Sequence, residues 1–235
     1  VTNARLTYEE QVSAILDAYS NLLEGELKGA VAVFKRFFLS DAANQSAYLH
    51  ACHAEFSDCA LSIIEQPPLD GTKIALWAYL QKNVQTRPLS NGIFEVKHGA
   101  YRHLWMVGAY NQAANAEYQM RLLFNDYIMR LMENDCRLAD HCIRTWLFVQ
   151  NVDVNYAGVV KARNEVFVTQ NLTDKTHFIA STGIAGRHAN PEVVVQMDAY
   201  AVHGLKTEQV HYLHAPTHLN PTYEYGVSFE RGTYI

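Results

Sequence analysis

The sequence predicts a duplicated α+β protein in which each unit is a mixed sheet with two helices packed on one face. Three observations carry this. Segments of helical and of strand periodicity alternate along the chain, the same order of segments occurs twice, and hydrophobic residues make up 49% of 235, enough for a sizeable core.

From Tyr8 to Glu24 the segment YEEQVSAILDAYSNLLE sets Val12, Ile15, Leu16, Tyr19, Leu22 and Leu23 at helical spacing, and Gly25 and Gly29 break it. Val31 to Leu39 is rich in β-branched and aromatic residues and reads as a strand, stopped by Ser40 and Asp41, the second of which suits a helix cap. Ala42 to Phe56 is the next helix, with Tyr48, Leu49, Cys52 and Phe56 on one face. Strands from Cys59 to Glu65 and Thr72 to Leu80 flank the turn-rich stretch Gln66 to Gly71, which contains Pro67-Pro68. Roughly 110 residues later the order returns. Tyr118 to Asn134 is a helix with Leu122, Leu123, Tyr127, Leu131 and Met132 inward, Cys142 to Val149 a strand and Tyr156 to Thr169 a helix. His177 to Gly183 and Glu192 to Val202 are the closing strands. Tyr8 matches Tyr118, Asn44 matches Asn155, Phe56 matches Phe167, and Ala78-Tyr79 matches Ala199-Tyr200.

Only the second unit has a hairpin ahead of it, Ile93 to Val107, turning at His98-Gly99. Another hairpin opens at Tyr223 and runs to Ile235. The expected organisation is therefore an incomplete first unit over 1–85, a complete second unit over 92–204, and a connector with the first strand of a third unit over 205–235.

Charge and motifs exclude several function classes. With 19 Lys and Arg against 24 Asp and Glu, a net charge of -5 and no basic run, nucleic acid is not an expected partner. No apolar stretch approaches the length of a membrane span, and the first residues lack a secretory pattern. Cys52, Cys59, Cys136 and Cys142 form no CxxC pair and lie in apolar stretches, as buried thiols of a reducing cytoplasm would. His203, His211, His214 and His218 cluster without zinc-site spacing, and there is no P-loop or GxGxxG, so neither a metal nor a cofactor is expected. Trp77, Trp105 and Trp146 read as core.

Hairpin, long helix, strand, helix and two closing strands is an element order that resembles the RidA/YjgF superfamily. Asn164-Glu165-Val166-Phe167 is similar to that family's Asn-Glu-Val-Tyr on the second helix, and Val193 to Val202 resembles its last strand. Ser181 to Arg187 and Tyr225 to Gly232 look more like the chorismatase branch, large single-chain relatives that hydrolyse chorismate. The resemblance implies chorismate mutase-like ferredoxin-type units arranged as inward-facing barrels of three, either a homotrimer or a pseudo-oligomer within one chain, with ligands in the clefts between units. In the deaminase branch an arginine at the start of the first closing strand clamps the substrate carboxylate. Here Lys175 or His177 stands in that place, and around Ser57-Asp58-Cys59 of the first unit there is no cation.

Candidate residues follow from both lines. Asp198 lies among Val, Met and Ala, where a carboxylate is costly unless paired or poised for proton transfer. It is the first catalytic candidate, and its alternative is a solvated carboxylate or one paired with Arg163. His177 is the second, since histidine titrates near neutrality, and its alternative is a hydrogen-bonded structural role. Lys175, Thr182, Gly183, Arg187 and Arg163 are the substrate-binding candidates, against the alternative that loop and helix arginines are solvated. Three readings stay open. The chain binds a small carboxylated metabolite between units and acts by water addition, as a hydrolase or deaminase; it is the amino-terminal part of a chorismatase-like hydrolase releasing pyruvate from chorismate; or it is a scaffold or ligand-binding unit without catalysis.

Overall fold

The computed structural model describes residues 3–53 and 59–235. Thr7 starts the first helix with a capping box: its side chain accepts from the Glu10 amide, and the Glu10 carboxylate accepts from the Thr7 amide. The helix is α1 (Tyr8–Glu24), and it is followed by β1 (Ala30–Leu39), α2 (Ala42–His53), β2 (Ala60–Glu65) and β3 (Ile74–Lys82). β1 pairs in parallel with β2, across the helical crossover α2, and antiparallel with β3, giving the order β2-β1-β3. Phe56, Ser57 and Asp58, used above, lie outside the described residues.

β4 (Gln85–Pro88), β5 (Phe94–His98) and β6 (Tyr101–Tyr110) come next, then α3 (Ala116–Met132), a short α4 (Leu138–His141), β7 (Cys142–Val149), α5 (Val152–Thr169), β8 (Ala180–Ala185) and β9 (Val195–His203). β7 pairs in parallel with β8 and antiparallel with β9, as β1 does with β2 and β3. The hairpin β5-β6 adds to β9, and β4 extends it, so the second sheet has six strands in the order β4-β5-β6-β9-β7-β8. β10 (His211–Leu213) and β11 (Gly232–Tyr234) form a two-stranded ribbon in the connector.

The repeat holds residue by residue in the sheets. Phe34 pairs with Tyr79 and Ala60 just as Arg144 pairs with Tyr200 and Ala180, so Ala78-Tyr79 and Ala199-Tyr200 are equivalent. The first helices correct the sequence alignment. Thr7 and Asn115 are the caps, and Gln11 and Gln119 are buried one turn inside, each reaching the chain that leads into the last strand. Tyr8 therefore corresponds to Ala116, and Tyr118 faces solvent.

Other boundaries move for local reasons. α5 begins at Val152 rather than Tyr156, because Asn151 takes a left-handed turn (φ 47) and the Asn155 amide donates to the Gln150 carbonyl. β9 begins at Val195 because the Gln119 carbonyl takes the Val194 and Val195 amides. β8 begins at Ala180 because Glu230 takes the Phe178 amide. Between Pro221 and Gly226 the chain makes a 3-10 turn, so the expected long strand from Tyr223 shortens to β11. The stretch from Gln81 to Asn91, expected as a boundary, contains β4.

Each unit has its own core beneath its helices, built on Val12, Leu16, Phe37 and Leu49 in the first and on Met120, Phe124, Tyr127 and Phe167 in the second. A third cluster, Val33, Phe34, Ala60, Phe94, Val96 and Trp105, joins the helix-free faces of the two sheets. Leu122 and Met132, read as inward, are exposed, as is Leu22 of the first helix's apolar spacing. No described helix is long and apolar enough to cross a membrane.

Candidate functional site

Between the two sheets lies a face of aromatic rings around two guanidinium groups. β1 turns Phe34 and Arg36 into it, β7 turns Arg144, Trp146 and Phe148, and β9 turns Asp198 and Tyr200, by the two-residue period of strands. Arg36 places Nη2 at 2.6 Å and Nε at 3.1 Å from Asp198 Oδ2. The Gly108 amide donates to Asp198 Oδ1 at 2.7 Å. That amide points inward because β6 bulges between Met106 and Ala109, with Gly108 at φ 61, a conformation that favours glycine. The guanidinium carbon of Arg36 lies 4.9 Å from the Phe148 ring, 5.0 Å from Phe34 and 5.1 Å from Trp146. A buried ion pair is stable when its remaining valences are met, and here they are met by a backbone amide and by ring faces.

Arg144 is held differently. Its Nη2 donates to Thr182 Oγ1 at 2.6 Å and its guanidinium stands 5.2 Å from the Trp146 ring, but no carboxylate pairs with it among the described residues. Burial, and then the nearby Arg36 charge, push its pKa down. Half-buried, with spare N–H groups and excess positive potential, it suits a carboxylate ligand. Beside it, Tyr200 stacks on Trp105 at 4.3 Å and meets His103 Nδ1 through its hydroxyl at 2.6 Å. Burial, then Tyr79, holds the Tyr200 phenol above its usual range, and burial, then His98, holds His103 below its own. The pair is therefore a neutral phenol and a neutral imidazole near pH 7. The buried Trp105 indole N–H has no hydrogen-bond partner among the described residues. Trp77, read from the sequence as core, is 44% exposed and lies 5.6 Å from the Arg36 guanidinium carbon, and Trp146 is half-buried.

Of the residues singled out from the sequence, Thr182 and Asp198 lie on this face between the sheets, bonded to Arg144 and Arg36. Asp198 pairs with Arg36 and not with Arg163 or solvent, which corrects the alternative considered for it. Gly183 faces the other way, with the Tyr156 ring so close that a Cβ would sit 2.8 Å from it. Arg163 is on that helix side, 1% exposed, which overturns the solvated reading. Arg187 stitches the units together: its backbone exchanges hydrogen bonds with Glu65 at 2.8 and 3.1 Å, and its half-exposed side chain reaches the Glu65 carboxylate at 3.5 Å. Lys175 is exposed on a loop closed by Thr173 and Thr176 hydroxyls. His177 stacks on Tyr212 at 4.0 Å and meets its hydroxyl through Nε2 at 3.2 Å. It lines a separate cleft of about 300 Å³ beneath the connector, with His214, Thr222, Phe229 and Glu230. Lys175 and His177 are thus not brought to Asp198. The sequence reading missed Arg36, Arg144, His103 and Tyr200, although the argument that raised Asp198, a charge inside an apolar strand, applies equally to VAVFKRFFL and CIRTWLFV.

No family model and no curated protein matches the chain. Solved structures do. A chorismatase matches 87% of this chain at 15% identity and a TM-score of 0.56, and this chain spans 59% of its length. A YjgF-family protein from Neisseria meningitidis matches 53% of this chain and 98% of its own at 16% identity, with a TM-score of 0.40. A member of the YjgF/YER057c/UK114 family from Mycobacterium tuberculosis matches 46% and 82% at 17% identity, with a TM-score of 0.36. The fold is similar to that of the chorismatase structure. Its two units stand in tandem within one chain, in an arrangement similar to the chorismatase structure.

Proposed function

We propose that the chain binds a small carboxylated metabolite between its two sheets and acts on it by water addition, as a hydrolase or deaminase. The observation that carries this is Arg144: a sheltered guanidinium bonded to a hydroxyl, beside aromatic rings, with neither a carboxylate for it nor a partner for the Trp105 indole N–H among the described residues. The carboxylate docks on Arg144 and Thr182, and the planar body of the ligand lies against Trp146 and Trp77. Tyr200 and His103 supply the proton donor and acceptor that water addition needs. Asp198 has both oxygens engaged, so it positions Arg36.

Titration calorimetry with benzoate, pyruvate and chorismate tests the reading. Arg144→Leu is expected to weaken binding by roughly ten- to a hundred-fold, the loss of a charge-assisted contact, while Lys175→Ala leaves it unchanged. Equal affinity of wild type and Arg144→Leu for every ligand bound would overturn it. The chorismatase match over 87% of the chain favours a second reading, part of a chorismatase-like hydrolase. Release of pyruvate from chorismate, followed by a coupled lactate dehydrogenase assay, separates the two: release supports the second, and binding of chorismate without release supports the first.

A further inference from the structure

Arg163, on α5, is 1% exposed, and its Nε and Nη2 have no hydrogen-bond partner among the described residues. Those two nitrogens form one edge of the guanidinium. It is the same edge that Arg36 presents to Asp198, both nitrogens donating to the one oxygen Oδ2 at 3.1 and 2.6 Å, so the chain itself shows a carboxylate seated on that edge. Around Arg163 stand the Tyr156 side chain and the ring of Phe229, 5.9 Å from the guanidinium carbon. The next residue, Asn164, donates to the Gly226 carbonyl at 3.1 Å, and its buried Oδ1 has no partner among the described residues. The connector segment carrying Gly226 and Phe229 thus covers the fork, and the outer side of Phe229 faces the cleft of about 300 Å³. A sheltered charge without a counter-charge is costly, and an anion with two oxygens relieves it.

We propose that the Nε/Nη2 edge of Arg163 is a second carboxylate site, entered from the connector cleft past Phe229 and independent of the cleft between the sheets. The ligand is a small carboxylic acid, with Asn164 Oδ1 placed to accept a hydrogen bond from a donor the ligand carries beside its carboxylate. The two arginines differ in their surroundings. Arg144 opens towards aromatic walls that suit a planar body, whereas Arg163 is closed in between Tyr156 and Phe229 and suits a short chain.

The test uses the full chain in an Arg144→Leu background, so that binding between the sheets is weakened and is the same in every sample compared. Thermal unfolding is followed in sodium acetate and, at equal ionic strength, in sodium chloride. Acetate is expected to raise the melting temperature above the chloride value, and adding Arg163→Met or Arg163→Lys is expected to abolish that excess, since neither side chain has the fork. The same gain with and without Arg163, or a gain in inorganic phosphate and none in acetate, overturns the proposal. Should both double variants fail to fold, the Nε–H resonance of Arg163 is followed by NMR in the single variant: a saturable shift with acetate supports the site, and an unmoved resonance rules it out.

Discussion

Asp198 and Arg36 are 162 residues apart in sequence and form one buried pair between the sheets. Removing the acid strands a guanidinium among rings with nothing to accept its N–H groups. Asp198→Ala is therefore expected to destabilise the chain by about 3–5 kcal/mol, more than replacing both partners by apolar residues of similar volume. Urea unfolding of Asp198→Ala and of the Arg36→Met/Asp198→Leu double variant checks this, and a double variant as unstable as the single would speak against it. At this scale the sequence yields the anomaly but not the pairing. A charge in a valine-rich strand announces that a partner exists, whereas choosing Arg36 over Arg163 needs the knowledge that two strands from different units face each other. Arg144 was legible by the same rule. Lys175 and His177 were chosen by analogy of position, and the connector holds that segment away from Asp198.

Among the elements, the glutamines one turn inside α1 and α3 act as clamps. Gln119 donates to the carbonyls of Ala113 and Glu192 and accepts from the amides of Val194 and Val195; Gln11 donates to Leu6 and accepts from Lys73. Gln119→Met leaves these buried groups unmet and is expected to cost about 3 kcal/mol, with hydrogen exchange at Val194 and Val195 quickened well before global unfolding. Exchange there at the wild-type rate would contradict the clamp. The clamps also explain why strand boundaries were hard to read. Val193 to Val195 looks like strand by composition, but a helix side chain takes the amides that a ladder would use. Periodicity found every long helix and most strands, because apolar spacing survives such local competition. It misaligned the first helices because Tyr8 and Tyr118 share an identity without sharing a role.

In the molecule as a whole, two sheets meet through their helix-free faces, and charged and titratable groups are sheltered where they meet. His103, His141 and His188 all have pKa values lowered chiefly by burial from the ordinary 6.5. The unfolded chain thus takes up protons at a higher pH than the folded one does. Stability is fully present above about pH 6.5 and is lost as pH falls through the folded values of these histidines. A melting temperature that stays flat from neutrality to about pH 5 would count against this burial. The duplication was legible because element order repeats, and the meeting of the sheets was not, since nothing in a linear pattern says which apolar face pairs with which. The account rests on the proposal that a carboxylate binds at Arg144 where the sheets meet, and a crystal soaked with benzoate tests it most directly. The expected result is a benzoate whose carboxylate contacts Arg144 and Thr182 and whose ring lies against Trp146. Benzoate bound elsewhere, with the space before Arg144 filled only by solvent, is the result that contradicts it.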